Sequence, residues 1–265
     1  MTEQADEHWT AGDAYEAYMG RWSRVLSRSF IEWLRPEPSK HWLEVGCGTG
    51  ALTAAISALA RPETVVGCDP SEPFIDHARR HSSSAECTFS VVSSVDELPE
   101  RAVGFDWVVS ALVLNYIPEP RRALSAMRAR MAPGGTVAAC VWDYAQGLEF
   151  VQGFWEEAVM ADPGAAALDE TKRFEFWQAP EMASLFRAAG FSRVETVALE
   201  ISTEFSDFSD FWRPLLSGSG AAPSYVASLD EPRRQDLKER LERRFAPGGT
   251  GPIRLSARAL AARGS

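Results

Sequence analysis

Trp42 to Asp69 reads WLEVGCGTGALTAAISALARPETVVGCD. An apolar run ends in a glycine-turned loop, an alanine- and leucine-rich helix follows, and a second apolar run ends on an acid. In an open α/β sheet this strand, loop, helix and strand build one half of a nucleoside-binding crevice. The loop Glu44-Val45-Gly46-Cys47-Gly48-Thr49-Gly50 places glycine at alternate positions, which allows positive φ and lets a ligand approach with no Cβ in its path. Asp69 follows at about the 20-residue distance where an acid at the tip of the next strand meets a ribose diol.

Gly46-Cys47-Gly48-Thr49-Gly50-Ala51 also satisfies the dinucleotide pattern G-x-G-x-x-G/A, so the loop alone does not choose its ligand. Glu44 tips the choice. A carboxylate beneath the loop repels a diphosphate and suits a ligand carrying an ammonium and a sulfonium. With these residues the chain resembles the class I S-adenosylmethionine-dependent methyltransferases, whose first motif reads E/D-x-G-x-G-x-G. The resemblance implies S-adenosylmethionine as cofactor, S-adenosylhomocysteine as product, and Glu44, Gly46, Cys47, Gly48, Gly50 and Asp69 among the residues that hold it. Two rivals stay open: a nicotinamide-dependent oxidoreductase sharing the crevice, and a non-catalytic S-adenosylmethionine-binding protein.

The likeness continues along the chain. Cys68-Asp69-Pro70-Ser71-Glu72-Pro73-Phe74 resembles the second motif, in which the acid takes the ribose hydroxyls and Pro70 and Phe74 would lie against adenine. The plain alternative for Asp69 is a cap for the helix that begins at Ser71. Ser93-Ser94-Val95-Asp96-Glu97-Leu98-Pro99 is similar to a stretch written G-D-A-x-x-L-P in relatives, with Ser94 where their acid meets the adenine amino group. Whether Ser94 or Asp96 does so here stays open. Phe105-Asp106-Trp107-Val108-Val109-Ser110-Ala111-Leu112 resembles the fourth-strand motif, which would bring Ser110 and Ala111 to the sulfonium end. Pro133-Gly134-Gly135 resembles the turn before the fifth strand. The amino-terminal Tyr15-Glu16-Ala17-Tyr18-Met19-Gly20-Arg21-Trp22-Ser23-Arg24 and the carboxyl-terminal Gly251–Ala259 resemble a bacterial small-molecule subgroup. That resemblance implies a helix over the cofactor, with Ser23 as its cap, bringing Tyr18 and Arg24 or Arg21 to the methionine end.

From Lys40 onward strand and helix patterns alternate, the mark of a parallel sheet with helices on both faces. Strands are expected at Trp42–Gly46, Thr64–Asp69, Thr88–Val92, Phe105–Leu112, Thr136–Asp143, Arg193–Ser202 and Gly251–Ala262. Helices are expected at Ala51–Ala60, Ser71–Arg80, Pro118–Met131, Pro180–Ala189, Phe205–Leu216 and Asp230–Phe245. The resemblance implies that the last strand runs antiparallel between the fifth and sixth of a mostly parallel, seven-stranded Rossmann-like sheet. The expected organisation is a single domain: residues 1–39 an amino-terminal helical lid, 40–143 a cofactor-binding core, 144–178 and 205–245 helical cover, and 251–263 the last strand.

A net charge of −10 over 265 residues, without a basic run, speaks against nucleic acid and favours a small-molecule acceptor. The acidic, polar start MTEQADEHWT and the lack of an apolar stretch of about 18 residues point to a cytoplasmic protein without a membrane partner, monomeric or homodimeric. Cys47, Cys68, Cys87 and Cys140 form no C-x-x-C pair, which fits reduced thiols and no metal. His8, His41, His77 and His81 read as surface or helix histidines rather than bases. The nine tryptophans and fourteen phenylalanines suit an aromatic or secondary-metabolite acceptor, and they equally suit a core. The side chains expected to position it, over the carboxyl tips of the fourth and fifth strands, are Asn115, Tyr116, Asp143 and Tyr144.

Overall fold

The computed structural model describes residues 15–82, 84–100, 102–218, 220–249 and 251–265. One sheet contains β1 (His41–Val45), β2 (Thr64–Asp69), β3 (Cys87–Val91), β4 (Phe105–Ala111), β5 (Met131–Trp142), β6 (Val194–Phe205) and β7 (Ile253–Gly264). Its order is β3-β2-β1-β4-β5-β7-β6. Pairings from β3 through β5 are parallel, and β7 runs antiparallel to β5. A dinucleotide-binding sheet has the order 3-2-1-4-5-6 and no such inserted strand. The central strands are continuous apolar runs because helices cover both faces. Trp42, Leu43, Val65, Val108, Val109 and Val137–Val141 are buried, and the Trp42 ring stacks on Trp107 at 5.3 Å.

Contacts divide the chain into two compact units. The first comprises Gly20–Trp142, Phe176–Glu200 and Arg258–Ser265. Its helix Arg21–Leu34 buries Trp22, Leu26, Phe30, Ile31 and Leu34 and packs on the helix Ala51–Ala60. Ser23 does not cap that helix. A π-helical turn, Glu16–Gly20, runs straight into it, so its first N–H groups follow an existing helical turn, and Ser23 lies inside with its carbonyl accepting from the Ser27 hydroxyl at 2.7 Å.

The Pro133-Gly134-Gly135 turn also differs from expectation, because β5 already begins at Met131. Phe105 pairs with Met131 and Trp107 with Thr136, so the tripeptide is absorbed as an irregularity within the strand. A Cβ on Gly135 would lie 2.9 Å from the carbonyls of Phe105 and Asp106, which is why glycine lets the backbone close there.

The second unit contains residues 15–19, Asp143–Glu175 and Ile201–Ala257. It is helical apart from the ends of β6 and β7 and packs around Phe150, Phe154, Trp155, Phe205, Phe211 and Tyr225. The Trp155 indole donates to the buried Glu170 carboxylate at 3.1 Å. The helix Ala221–Ser228 lies within the expected helical cover 205–245 but between the two helices assigned there, since its glycine-flanked, alanine-rich stretch has little amphipathic pattern. No helix among the described residues is long and apolar enough to cross a membrane.

Candidate functional site

The site forms where β1 and β2 end. After Val45 the backbone turns at Gly46, Gly48 and Gly50, with φ of +73°, +52° and +91°. The N–H groups of Gly46 and Cys47 both donate to the Cys68 carbonyl, at 2.7 and 3.0 Å, which hangs the loop on the neighbouring strand. The glycines are required for different reasons. A Cβ on Gly46 would lie 2.5 Å from a Val113 methyl, whereas one on Gly48 would meet nothing within 4 Å. Gly48 therefore leaves open space beside its backbone.

Asp69 ties this loop to the helix Glu72–His81. Its Oδ2 accepts from the Gly48 N–H and its Oδ1 from the Ser71 N–H, both at 2.9 Å. The helix cap is Ser71, whose Oγ accepts from the Phe74 N–H at 3.4 Å, so Asp69 is not the cap. A carboxylate has about four lone-pair positions, and two remain for a ligand. Burial raises the Asp69 pKa, and the Ser71 and Gly48 N–H groups oppose the shift.

Glu44 is 1% exposed and accepts from the Thr53 hydroxyl at 2.5 Å. Burial pushes its carboxyl up to about 8; the Thr53 bond opposes this and the charge of Asp69 adds to it. Burial likewise raises the Cys47 thiol, and it pushes Cys68 up to about 12, so neither is an activated nucleophile.

The remaining expected residues of this unit fall around the same edge. Pro70 is exposed, Phe74 half-buried and Val95 buried. The Ser94 Oγ accepts from the Asp96 N–H at 3.3 Å, while the Asp96 carboxylate pairs with Arg122 at 3.4 Å. Ser110, at the end of β4, is buried with no hydrogen-bond partner for its Oγ among the described residues; Ala111 is half-buried. Leu112 then takes φ +62°, held by donation of its N–H to the Cys140 carbonyl at 2.8 Å. Asn115 is 7% exposed, and neither Oδ1 nor Nδ2 has a partner among the described residues. Tyr116 is half-buried. Arg24 lines a cavity of about 270 Å³ together with Thr49, Gly50, Thr53 and His81, which brings it to the far end of the glycine loop.

Tyr18, Asp143 and Tyr144 belong to the other unit. There the Tyr18 ring meets Phe150 edge-on at 6.4 Å and the Tyr144 ring lies 4.8 Å from Phe174. The Asp143 Oδ1 accepts from the Gln146 N–H at 3.0 Å. His77 and His81 stack at 4.0 Å on one helix, and His41 bonds Thr64 at the start of β1; His8 lies outside the described residues. Sequence reasoning missed Val113, whose partner Gly46 is distant in the chain, and Thr53, whose hydroxyl reaches Glu44 across the glycine loop from nine residues away.

Residues 43–137 match the family model described as a methyltransferase domain. Over 97 residues the chain is 32% identical to a ubiquinone biosynthesis O-methyltransferase of Coxiella burnetii, covering 36% of this chain and 41% of that protein. The chain thus matches about two fifths of the length of these curated relatives. Among solved structures it is similar to a putative type II methyltransferase from Anaeromyxobacter dehalogenans, with a TM-score of 0.60, 20% identity, and coverage of 89% of this chain and 95% of that one. It is also similar to Haemonchus contortus phosphoethanolamine N-methyltransferase 2 in complex with S-adenosyl-L-methionine, with a TM-score of 0.58, 14% identity, and coverage of 98% and 58%. The fold is the Rossmann-like methyltransferase fold, with its mostly parallel sheet and antiparallel last strand.

Two predictions follow from the geometry. Gly46→Ala should destabilise the protein strongly, because Val113 fills the space, whereas Gly48→Ala should cost only the left-handed backbone penalty of about 1–2 kcal/mol. Chemical denaturation of both variants checks the difference. The second concerns pH. Glu44 ionises near 4.5 in an unfolded chain and at about 8 in the fold, so its contribution to stability is complete below 4.5 and is lost as pH rises through about 8. The melting temperature of the ligand-free protein should fall across that window, and Glu44→Gln should flatten the fall.

Proposed function

We propose that this chain is an S-adenosylmethionine-dependent methyltransferase acting on a small-molecule acceptor. The observation that carries the reading is the glycine loop bonded through Gly48 to Asp69 with Glu44 buried beneath it, lying inside the stretch that matches a methyltransferase domain. The Asp69 carboxylate at the loop opposes a diphosphate, and Glu44, whose carboxyl burial pushes up to about 8, ionises more readily beside a cationic ligand. The open space beside Gly48 suits close approach of a nucleoside to backbone. The inserted antiparallel strand also separates this sheet from the nicotinamide-binding order.

When bound, S-adenosylmethionine supplies a methyl group on a positively charged sulfur. Asp69 takes the ribose hydroxyls with its remaining lone pairs, and ionised Glu44 favours the ammonium and sulfonium. Arg24 meets the carboxylate at the end of the loop. Pro70, Phe74, Ser94 and Val95 receive the base, and Ser110 and Ala111 border the sulfonium end. Asn115, buried and without a partner among the described residues, and Tyr116 orient the acceptor. Alignment of nucleophile, carbon and sulfur can supply roughly 7–11 kcal/mol, so no strong base is required. A small-molecule acceptor is in keeping with the relatives named as O-methyltransferases of ubiquinone biosynthesis, and an aromatic or other secondary-metabolite acceptor with the aromatic content of the chain, which equally suits a core.

Calorimetry with S-adenosylmethionine and NAD tests the cofactor: the first should bind and the second should not, and the reverse would overturn the reading. Asp69→Ala should weaken cofactor binding by at least about tenfold, since charge-assisted bonds contribute about 1.5–3 kcal/mol. With an acceptor found by turnover screening, Asn115→Leu should lower kcat/KM for it while cofactor affinity holds.

A further inference from the structure

Arg130 closes the helix Pro120–Arg130 and is 9% exposed. Among the described residues its guanidinium pairs with no carboxylate. Instead Nη1 donates to the carbonyls of Pro99 at 2.7 Å and Ala102 at 3.2 Å, and Nη2 to those of Leu98 at 2.9 Å, Val95 at 3.0 Å and Asp96 at 3.4 Å. A buried cation needs such convergent dipoles. The planar fork of arginine can serve several acceptors at fixed angles, which a lysine ammonium cannot. The carbonyls of Val95, Asp96, Leu98, Pro99 and Ala102 are therefore gathered around one side chain from a helix distant in sequence.

That segment follows β3, beside the tip of β2, where the Val92 N–H donates to the Asp69 carbonyl at 3.1 Å. The strand tips run in the order β3, β2, β1, β4. A nucleoside with its ribose on Asp69 and its 5′ substituent across the glycine loop of β1 must direct its base the other way, toward the turn after β3.

Each carbonyl aimed at Arg130 leaves the N–H of its own peptide aimed away, polarised as a donor. For the Val95–Asp96 peptide that N–H goes to the Ser94 Oγ. One lone pair of the hydroxyl is thereby engaged, and its O–H is left to donate. Adenine offers an acceptor at ring nitrogen N1, whereas the 6-oxo base hypoxanthine carries a proton there.

We infer that Arg130 is a positioning residue for base recognition: by gathering the carbonyls of Val95, Asp96, Leu98, Pro99 and Ala102 it holds the Ser94 hydroxyl so that adenine is taken in preference to hypoxanthine. This rests on the reading of Asp69 as the ribose site. Calorimetry with S-adenosylhomocysteine and S-inosylhomocysteine tests it. The wild-type protein should prefer the adenine compound by at least about fivefold, and a folded Arg130→Lys variant should lose most of that preference. A preference equal in wild type and variant, or absent from wild type, overturns the inference; binding of neither compound by wild type overturns the cofactor reading itself. If Arg130→Lys does not fold, hydrogen exchange of the wild-type protein decides. Amides 96–98 protected before ligand is added support a preformed turn, and amides that exchange freely until S-adenosylhomocysteine is added overturn it.

Discussion

Val113 stands where a side chain on Gly46 would have to go, and the carboxyl edge of the sheet is organised by that contact. It locks the turn leaving β1 against the turn leaving β4. The second turn accepts a cost to meet it, because Leu112 adopts a left-handed conformation that disfavours a branched residue by about 1–2 kcal/mol. The Leu112 N–H is satisfied by Cys140 on β5, so β1, β4 and β5 are joined at one point. On the other side Gly46 and Cys47 hang from Cys68 of β2. A loop anchored on both flanks can leave space at Gly48 without collapsing into it.

Two carboxylates are buried at this loop with different support. Asp69 accepts backbone N–H groups from both segments that it joins, which oppose the effect of burial on its proton. Glu44 has the Thr53 hydroxyl, which offsets only part of the desolvation. A site of this kind holds its negative charge most easily when a cation enters it. The electrostatics thus favour the proposed cofactor through its charge as well as its shape.

Buried polar groups without partners among the described residues mark the other end of the edge. Ser110 and Asn115 lie five residues apart, on either side of the strained Leu112, and among the described residues their side chains keep unsatisfied atoms where most of a protein would not. Arg130 shows the opposite solution, a buried charge satisfied by backbone carbonyls. The first pair points to a ligand that completes it; the second is complete in itself and shapes a neighbouring segment.

Local chemistry made much of the fold legible in the chain. Ala51–Ala60 and Thr64–Asp69 have the bounds expected from periodicity and flanking residues, and Gly46, Gly48 and Gly50 take the positive φ that their spacing suggested. These features depend on neighbours within a few positions. The absorbed turn at Gly135, the inward place of Ser23 and the helix Ala221–Ser228 depend on what packs against them, and short-range pattern carries no record of that. The same boundary divides the site. The acids and glycines were visible as a motif because backbone conformation and strand position dictate them. Val113 against Gly46 and Arg130 among the carbonyls of Val95 to Pro99 and Ala102 were decided only by tertiary structure, since strand order and helix packing bring those partners into reach; Thr53 lies nine residues from Glu44, and it took the folded loop to show that its hydroxyl turns back to that carboxylate.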